Sequence, residues 1–241
     1  MTTRFHIGAK ELRGNIAAYA KRFDLLEVRA DATRPSEAVL RKWRKQVPPH
    51  FEFCVVAGPH LSALKESPEL DEELATTLKT IAALQARCLL LATPVEVTPS
   101  PLSRQRMAKL LERLPRDATH VIWEPRGLWE TDDAAVAAKK WDIVLAVDAA
   151  RDPVPVNPVA YVRLRALGET RSFGPAALER VVDAIGTRRD AYVVLETTTA
   201  LAECKRLRQL AQKSKKAFEG GMGRVVRPRN LVMKVRDDEQ E

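Results

Sequence analysis

Charged side chains recur two residues apart at the ends of short apolar runs: Glu27-x-Arg29, Glu124-x-Arg126 and Arg163-x-Arg165, with Asp148 and Glu196 closing two further runs. In extended chain the side chains alternate, so both members of each pair project from one strand face while Leu26, Val28, Val121, Trp123, Val162 and Leu164 project from the other. Two chemistries follow from these residue types. Carboxylates held close together raise the pKa of at least one of them, which lets a proton donor and an acceptor coexist near neutral pH. Arginines left incompletely neutralised offer a planar fork to a phosphate or carboxylate. Glu124, Asp148 and Glu27 are therefore the acid/base candidates, with Glu124 and Asp148 on adjacent strands. Arg29, Arg126, Arg163, Arg165 and Glu196 form the ligand-binding set, led by Arg163 and Arg165 because no acid separates them. If the same groups neutralise one another, they are a structural ion-pair network instead. Whether Arg163 and Arg165 already have carboxylate partners decides between the two.

Other chemistries have less support. The sequence holds no HExxH or His-x-His motif, and arginines interleaved with the acids oppose a divalent cation, so no metal is expected. Of the four histidines, His6 and His60 are the ones expected near the charged strand ends. There is no GxSxG elbow, and no glycine-rich phosphate cradle follows any strand, so no cofactor is expected either. Thr197-Thr198-Thr199 supplies hydroxyls to bind a ligand oxygen or, the expected role, to cap the helix that follows. Cys54, Cys88 and Cys204 lack CxxC spacing and leave an odd count, which points to reduced, buried thiols.

The elements that must position these groups alternate along the chain. Candidate strands are Arg4–Gly8, Asp24–Ala30, Phe51–Ala57, Arg87–Ala92, His120–Pro125, Asp142–Asp148, Val159–Arg165 and Ala191–Glu196. Helical spacing marks Ser36–Gln46, Leu70–Ala86, Ser103–Leu114, Thr131–Lys140, Pro175–Gly186 and Thr199–Lys216, with a weaker helix over Lys10–Arg22 and loop through Gly58-Pro59 and Ser67-Pro68. Eight such strands in an α/β chain of 241 residues suit a TIM-like (β/α)8 barrel, with an open doubly wound sheet as the alternative. Residues 1–212 are assigned to this single domain and 213–241 to a basic tail, partly packed or flexible. In a barrel the charged strand ends would ring the carboxyl-end mouth, where such folds bind ligands.

A formal net charge of +8 favours anionic partners. A small anionic ligand at the mouth is the leading expectation. Nucleic acid is the rival, through Arg41–Lys45, Lys205–Arg208, Lys213–Lys216 and Arg224, Arg227 and Arg229, although aromatics are only 5% of the chain. A scaffold with a degenerate mouth is the third reading. No window is apolar enough to span a bilayer and no apolar leader opens the sequence, so a cytoplasmic protein is expected, of undetermined oligomeric state.

Several blocks resemble the YecE-like family, also called domain of unknown function 72, whose members are TIM-like barrels. Phe23-Asp24-Leu25-Leu26-Glu27-Val28, followed by Pro35, Trp43 and Pro48, is similar to its strand-two block, and Phe51-Glu52-Phe53 to its Phe-x-Phe strand three. Glu124, Arg126 and Trp129 resemble its Glu-x-Arg block, Asp148 its strand-six aspartate, and Tyr161-Val162-Arg163-Leu164 its Tyr-Val-Arg-Leu strand. The chain departs from the family at Gly8–Leu12, at Val56 in place of a lysine, at Arg165 in place of a histidine, and at Glu196-Thr197-Thr198 in place of an asparagine pair. The resemblance implies a barrel and carries no settled activity.

Overall fold

The structure, a computed structural model, describes residues 3–31, 33–167 and 171–221. Its strands are β1 (Arg4–Ala9), β2 (Leu25–Arg29), β3 (Glu52–Val56), β4 (Cys88–Ala92), β5 (His120–Glu124), β6 (Val144–Val147), β7 (Val159–Arg165) and β8 (Asp190–Glu196). They form one parallel sheet in the order β1-β8-β7-β6-β5-β4-β3-β2. Its two edges come together. The Asp24 N–H donates to the Ile7 carbonyl across 2.8 Å, and the Tyr19 hydroxyl accepts from the Ala9 N–H and donates to the Leu25 carbonyl, each across 2.9 Å. A Cβ at Gly8 would lie 2.2 Å from the Leu25 carbonyl oxygen, so glycine is what lets β1 approach β2 this closely. The result is a nearly closed barrel, which removes the open doubly wound alternative.

The helices are α1 (Ile16–Ala20), α2 (Glu37–Gln46), α3 (Pro59–Ser62), α4 (Pro68–Leu84), α5 (Pro101–Leu111), α6 (Thr131–Trp141), α7 (Pro175–Ile185) and α8 (Ala200–Gly221). Two of them begin earlier than the sequence spacing predicts. Ser67 accepts from the Leu70 N–H at 3.3 Å and Ser100 from the Ser103 N–H at 3.2 Å, each followed by proline at the first helical position. Ser-Pro there is a cap followed by a pre-set φ rather than a loop, and the apolar periodicity starts one turn late because the first turn is polar. Ser103, the first residue of the expected helix, is accordingly inside α5, which Ser100 caps. The weak helix over Lys10–Arg22 shortens to α1, capped by Asn15 just after Gly14, which has φ +80. In place of a continuous loop after β3 there is the single turn of α3. At the other end α8 continues to Gly221, past its expected end at Lys216. Arg224, Arg227 and Arg229 lie outside the described residues.

Strand alternation sorts the core into two layers. Leu26, Val28, Val121, Trp123, Val162 and Leu164 face the helices, where Trp123 stacks edge-on against Trp129 and Trp141 and donates to the Thr93 hydroxyl at 3.0 Å. Leu25, Leu90, Ile122, Tyr161, Tyr192 and Val194 fill the barrel interior with Cys54 and Cys88. All three cysteines are free and buried. Burial pushes the Cys54 and Cys88 thiols far up, away from the reactive thiolate.

Candidate active site at the carboxyl-end mouth

Above this apolar plug, the next inward positions are Glu27 on β2, Glu124 on β5, Arg163 on β7 and Glu196 on β8. The period-two continuation from Leu25, Ile122, Tyr161 and Val194 puts them there. Arg163 is the hub. Its Nη1 donates to Glu124 at 2.6 Å and its Nη2 to Glu27 at 3.0 Å, with Glu196 at 3.2 Å. Arg165 donates to Glu124 and, at 3.1 Å, to Glu196, which also faces Lys10 at 3.1 Å. The Tyr161 hydroxyl donates to Glu27 at 2.7 Å. Arg163 is 8% exposed and Glu124 6%, so these pairs are largely removed from water.

The electrostatics separate the carboxylates. Burial raises the Glu27 pKa above the ordinary glutamate value, and the opposing pull of Arg163 and Tyr161 does not cancel it. Glu196 is also penalised by burial, but Arg163, Arg165 and Lys10 outweigh that and hold its pKa low. Burial disfavours the charge on Arg163, yet Glu27, Glu124 and Glu196 together keep it above the usual arginine range. The network thus pairs one glutamate whose pKa is raised with one whose pKa is lowered. Arg163 and Arg165 both already have carboxylate partners, as a structural ion-pair network requires.

Not every expected residue joins it. Arg29 lies outside, exposed and paired with Asp31 at 2.6 Å. Arg126 lies beyond β5, exposed and without an ion pair among the described residues. Glu124 and Asp148, candidates on adjacent strands, make no hydrogen bond to each other among the described residues. Ile122 pairs with Val144 in the β5–β6 register, which leaves Asp148 two residues farther along than Glu124, about 6.6 Å at the rise of a strand. Asp148 instead accepts from the Ala150 N–H at 3.1 Å and the Arg165 N–H at 3.3 Å, fixing the turn after β6. His6 sits at the opposite, amino-terminal end, 3.2 Å from Asp190 and stacked on Tyr192. His60 is exposed on α3.

Beside the network a cavity of about 990 Å3 opens between the ends of β1, β7 and β8 and the start of α8. Its cationic lining is Lys10, Arg13, Arg22, Arg165, Arg171 and Lys205, against the carboxylates of Glu11 and Glu196. It meets the buried network at Arg165 and Glu196. Glu203, buried in the first turn of α8, fixes one wall. It accepts from the Phe173 N–H at 2.7 Å, the Thr199 hydroxyl at 3.0 Å and the Thr197 hydroxyl. These hydroxyls therefore turn to Glu203 rather than cap backbone N–H groups.

Most of these cations escape a reading based on strand patterns because they stand on connections. The available signal was Lys205 within its basic run. In the same run Arg208 bonds Asp24 at 2.7 Å, and in the run over Arg41–Lys45 Arg41 pairs with Glu37 and Arg44 donates to the Pro48 and Phe51 carbonyls. Among the described residues no group of three or more His, Cys, Asp or Glu is placed to hold a metal ion, and no helix is long and apolar enough to cross a membrane.

A parallel eight-stranded barrel with its ionisable side chains gathered at the carboxyl ends defines the class of this protein. Residues 5–228 match the family described as protein of unknown function DUF72, and the chain belongs to that family. A DUF72 family protein from Enterococcus faecalis is similar in structure with a TM-score of 0.70 at 14% identity, over 87% of this chain and 96% of that one. A second, from Thermotoga maritima, has a TM-score of 0.59 at 17% identity, over 89% and 99%. A xylose isomerase domain containing protein from Salmonella typhimurium has a TM-score of 0.57 at 15% identity, over 90% and 97%. At these identities the likeness is one of fold. No curated protein matches the chain.

Proposed function

We propose that the protein binds a small anionic metabolite, a phosphate or a carboxylate, in the cavity at the carboxyl-end mouth. The Glu27–Arg163–Glu124 network beside it would then serve acid/base or hydrolytic chemistry. The observation that carries this reading is the lining of that cavity, six cationic side chains against two carboxylates. Concave, like-charged surfaces focus potential and concentrate counter-ions. The anion's place shifts relative to the expectation from sequence. Arg163 is already shared among three carboxylates through its two Nη groups, so its role is to hold Glu27 and Glu124 in place. Arg165, whose side chain is 38% exposed at the cavity floor, is the arginine of the network that can touch a ligand. Glu27, its pKa raised by burial, would be the proton donor and Glu196, held ionised at the cavity, the acceptor.

The test is thermal stabilisation by a panel of phosphorylated and carboxylated metabolites. A ligand present at a hundred times its dissociation constant stabilises by about 2.7 kcal/mol. At least one member should raise the melting temperature of the parent and raise that of Arg165→Ala less. A panel without effect on the parent overturns the reading.

A further inference from the structure

The ligand's class can be narrowed, on the basis of the small-anion reading just given. Arg13 stands on the connection from β1 to α1, Arg22 just after α1, Arg171 before α7, and Lys205 in α8. Among the described residues none of these four makes an ion pair, whereas Lys10 and Arg165 at the floor are both bonded to Glu196. The one other carboxylate in the lining is Glu11, also without an ion pair among the described residues. Four cations without an ion pair among the described residues, brought into one concavity from four segments with only Glu11 as a further carboxylate, repel one another, and an occupant bearing one charge relieves little of that. A carboxylate offers two oxygens in one plane to one fork, while a phosphate group offers three oxygens and up to two charges to several donors at once.

The backbone supports the placement of Arg171. Its φ of +44 is a left-handed conformation that a side chain of this size seldom adopts. The Arg171 carbonyl accepts from the Thr198 N–H at 3.0 Å and from the Thr198 hydroxyl at 3.3 Å, so the arginine is tied to the cavity wall. Glu203 ties the same two connections together through Phe173, Thr197 and Thr199. The volume of about 990 Å3 falls at the upper end of the range for small-molecule sites, roughly 300–1,000 Å3.

We infer that the ligand is a phosphorylated small molecule carrying at least two negative charges, its phosphate oxygens met by Arg13, Arg22, Arg171 and Lys205. Arg163 stays out of contact, and Arg165 and Lys10 border the part of the molecule nearest Glu27 and Glu124. A polynucleotide offers the same phosphate chemistry, so the experiment must tell the two sources apart.

The full chain is titrated calorimetrically at low ionic strength with inorganic pyrophosphate, malonate and a short oligothymidylate. Pyrophosphate should bind the parent at least roughly tenfold more tightly than malonate. It should weaken by roughly tenfold or more in the double variant Arg22→Ala/Arg171→Ala, which removes two charged donors. Lys140→Ala, exposed on α6, should leave it unchanged. Among the described residues the four rim residues make no ion pairs, so the double variant should melt with the parent; if it does not, Lys205→Ala supplies the comparison. Malonate binding as tightly as pyrophosphate overturns the phosphate class while leaving the small-anion reading intact. Pyrophosphate binding that is indifferent to these substitutions overturns the assigned residues. Oligothymidylate bound more tightly than pyrophosphate and lost in the same variants overturns the small-molecule source. Neither small anion binding the parent overturns this inference together with the reading it rests on.

Discussion

Arg163 lies 2.6 Å from Glu124, one buried guanidinium against one buried carboxylate on strands that are not neighbours in the sheet. The contact spans the barrel interior and sets the geometry of everything above it. Removing the arginine would leave Glu27 and Glu124 buried without their main counter-ion. Breaking such a pair from one side costs about 3–5 kcal/mol. Arg163→Met should lose stability on that scale in urea or guanidinium unfolding. A loss below about 1 kcal/mol would mean that the pair is solvated as a surface pair is.

Glu27 gives the network a signature in pH. Its pKa is raised on folding above the ordinary value of 4.5. The stabilisation it contributes is therefore complete below that value and is lost as the pH rises through the folded pKa. Glu27→Gln lacks this dependence and keeps the shape, so its stability relative to the parent should improve from pH 4 to pH 8. Unfolding curves across that span check it, and a parent that gains on the variant as pH rises contradicts the assignment.

The amino-terminal end behaves in the opposite sense. Asp190 is nearly inaccessible and accepts from Arg4 and His6; these bonds outweigh the penalty of burial and hold its pKa below 3.8. Its contribution is complete above that value and is lost as the pH falls through the folded pKa. The stability difference between the parent and Asp190→Asn should therefore shrink in acid. A difference that stays constant down to the acid transition would show that the Asp190 carboxylate does not drive it.

Much of the barrel can be read from local chain properties. Val159–Arg165 has the same bounds in the sequence reading and in the structure, and alternation places Glu27, Glu124 and Arg163 on the inner face. Which carboxylate meets which arginine is set by the stagger of neighbouring strands. That stagger puts Asp148 beyond Glu124 and brings Glu27, from the other side of the barrel, onto Arg163. The cavity is less legible still. Arg13, Arg22 and Arg171 stand on connections with no period, and only closure of β1 against β2 and β8 brings them to one place. Gly8 contributes to that closure by absence of a side chain, a signal without meaning until its neighbour is known.

The central claim is that the carboxyl-end cavity holds an anion. Crystals of the full chain soaked in tungstate, a heavy-atom analogue of phosphate, test it through anomalous scattering. The account predicts a peak inside the cavity between Arg165 and Arg171, lost in Arg22→Ala/Arg171→Ala. Tungstate found only at other surfaces, or a cavity peak that survives the double substitution, would contradict it.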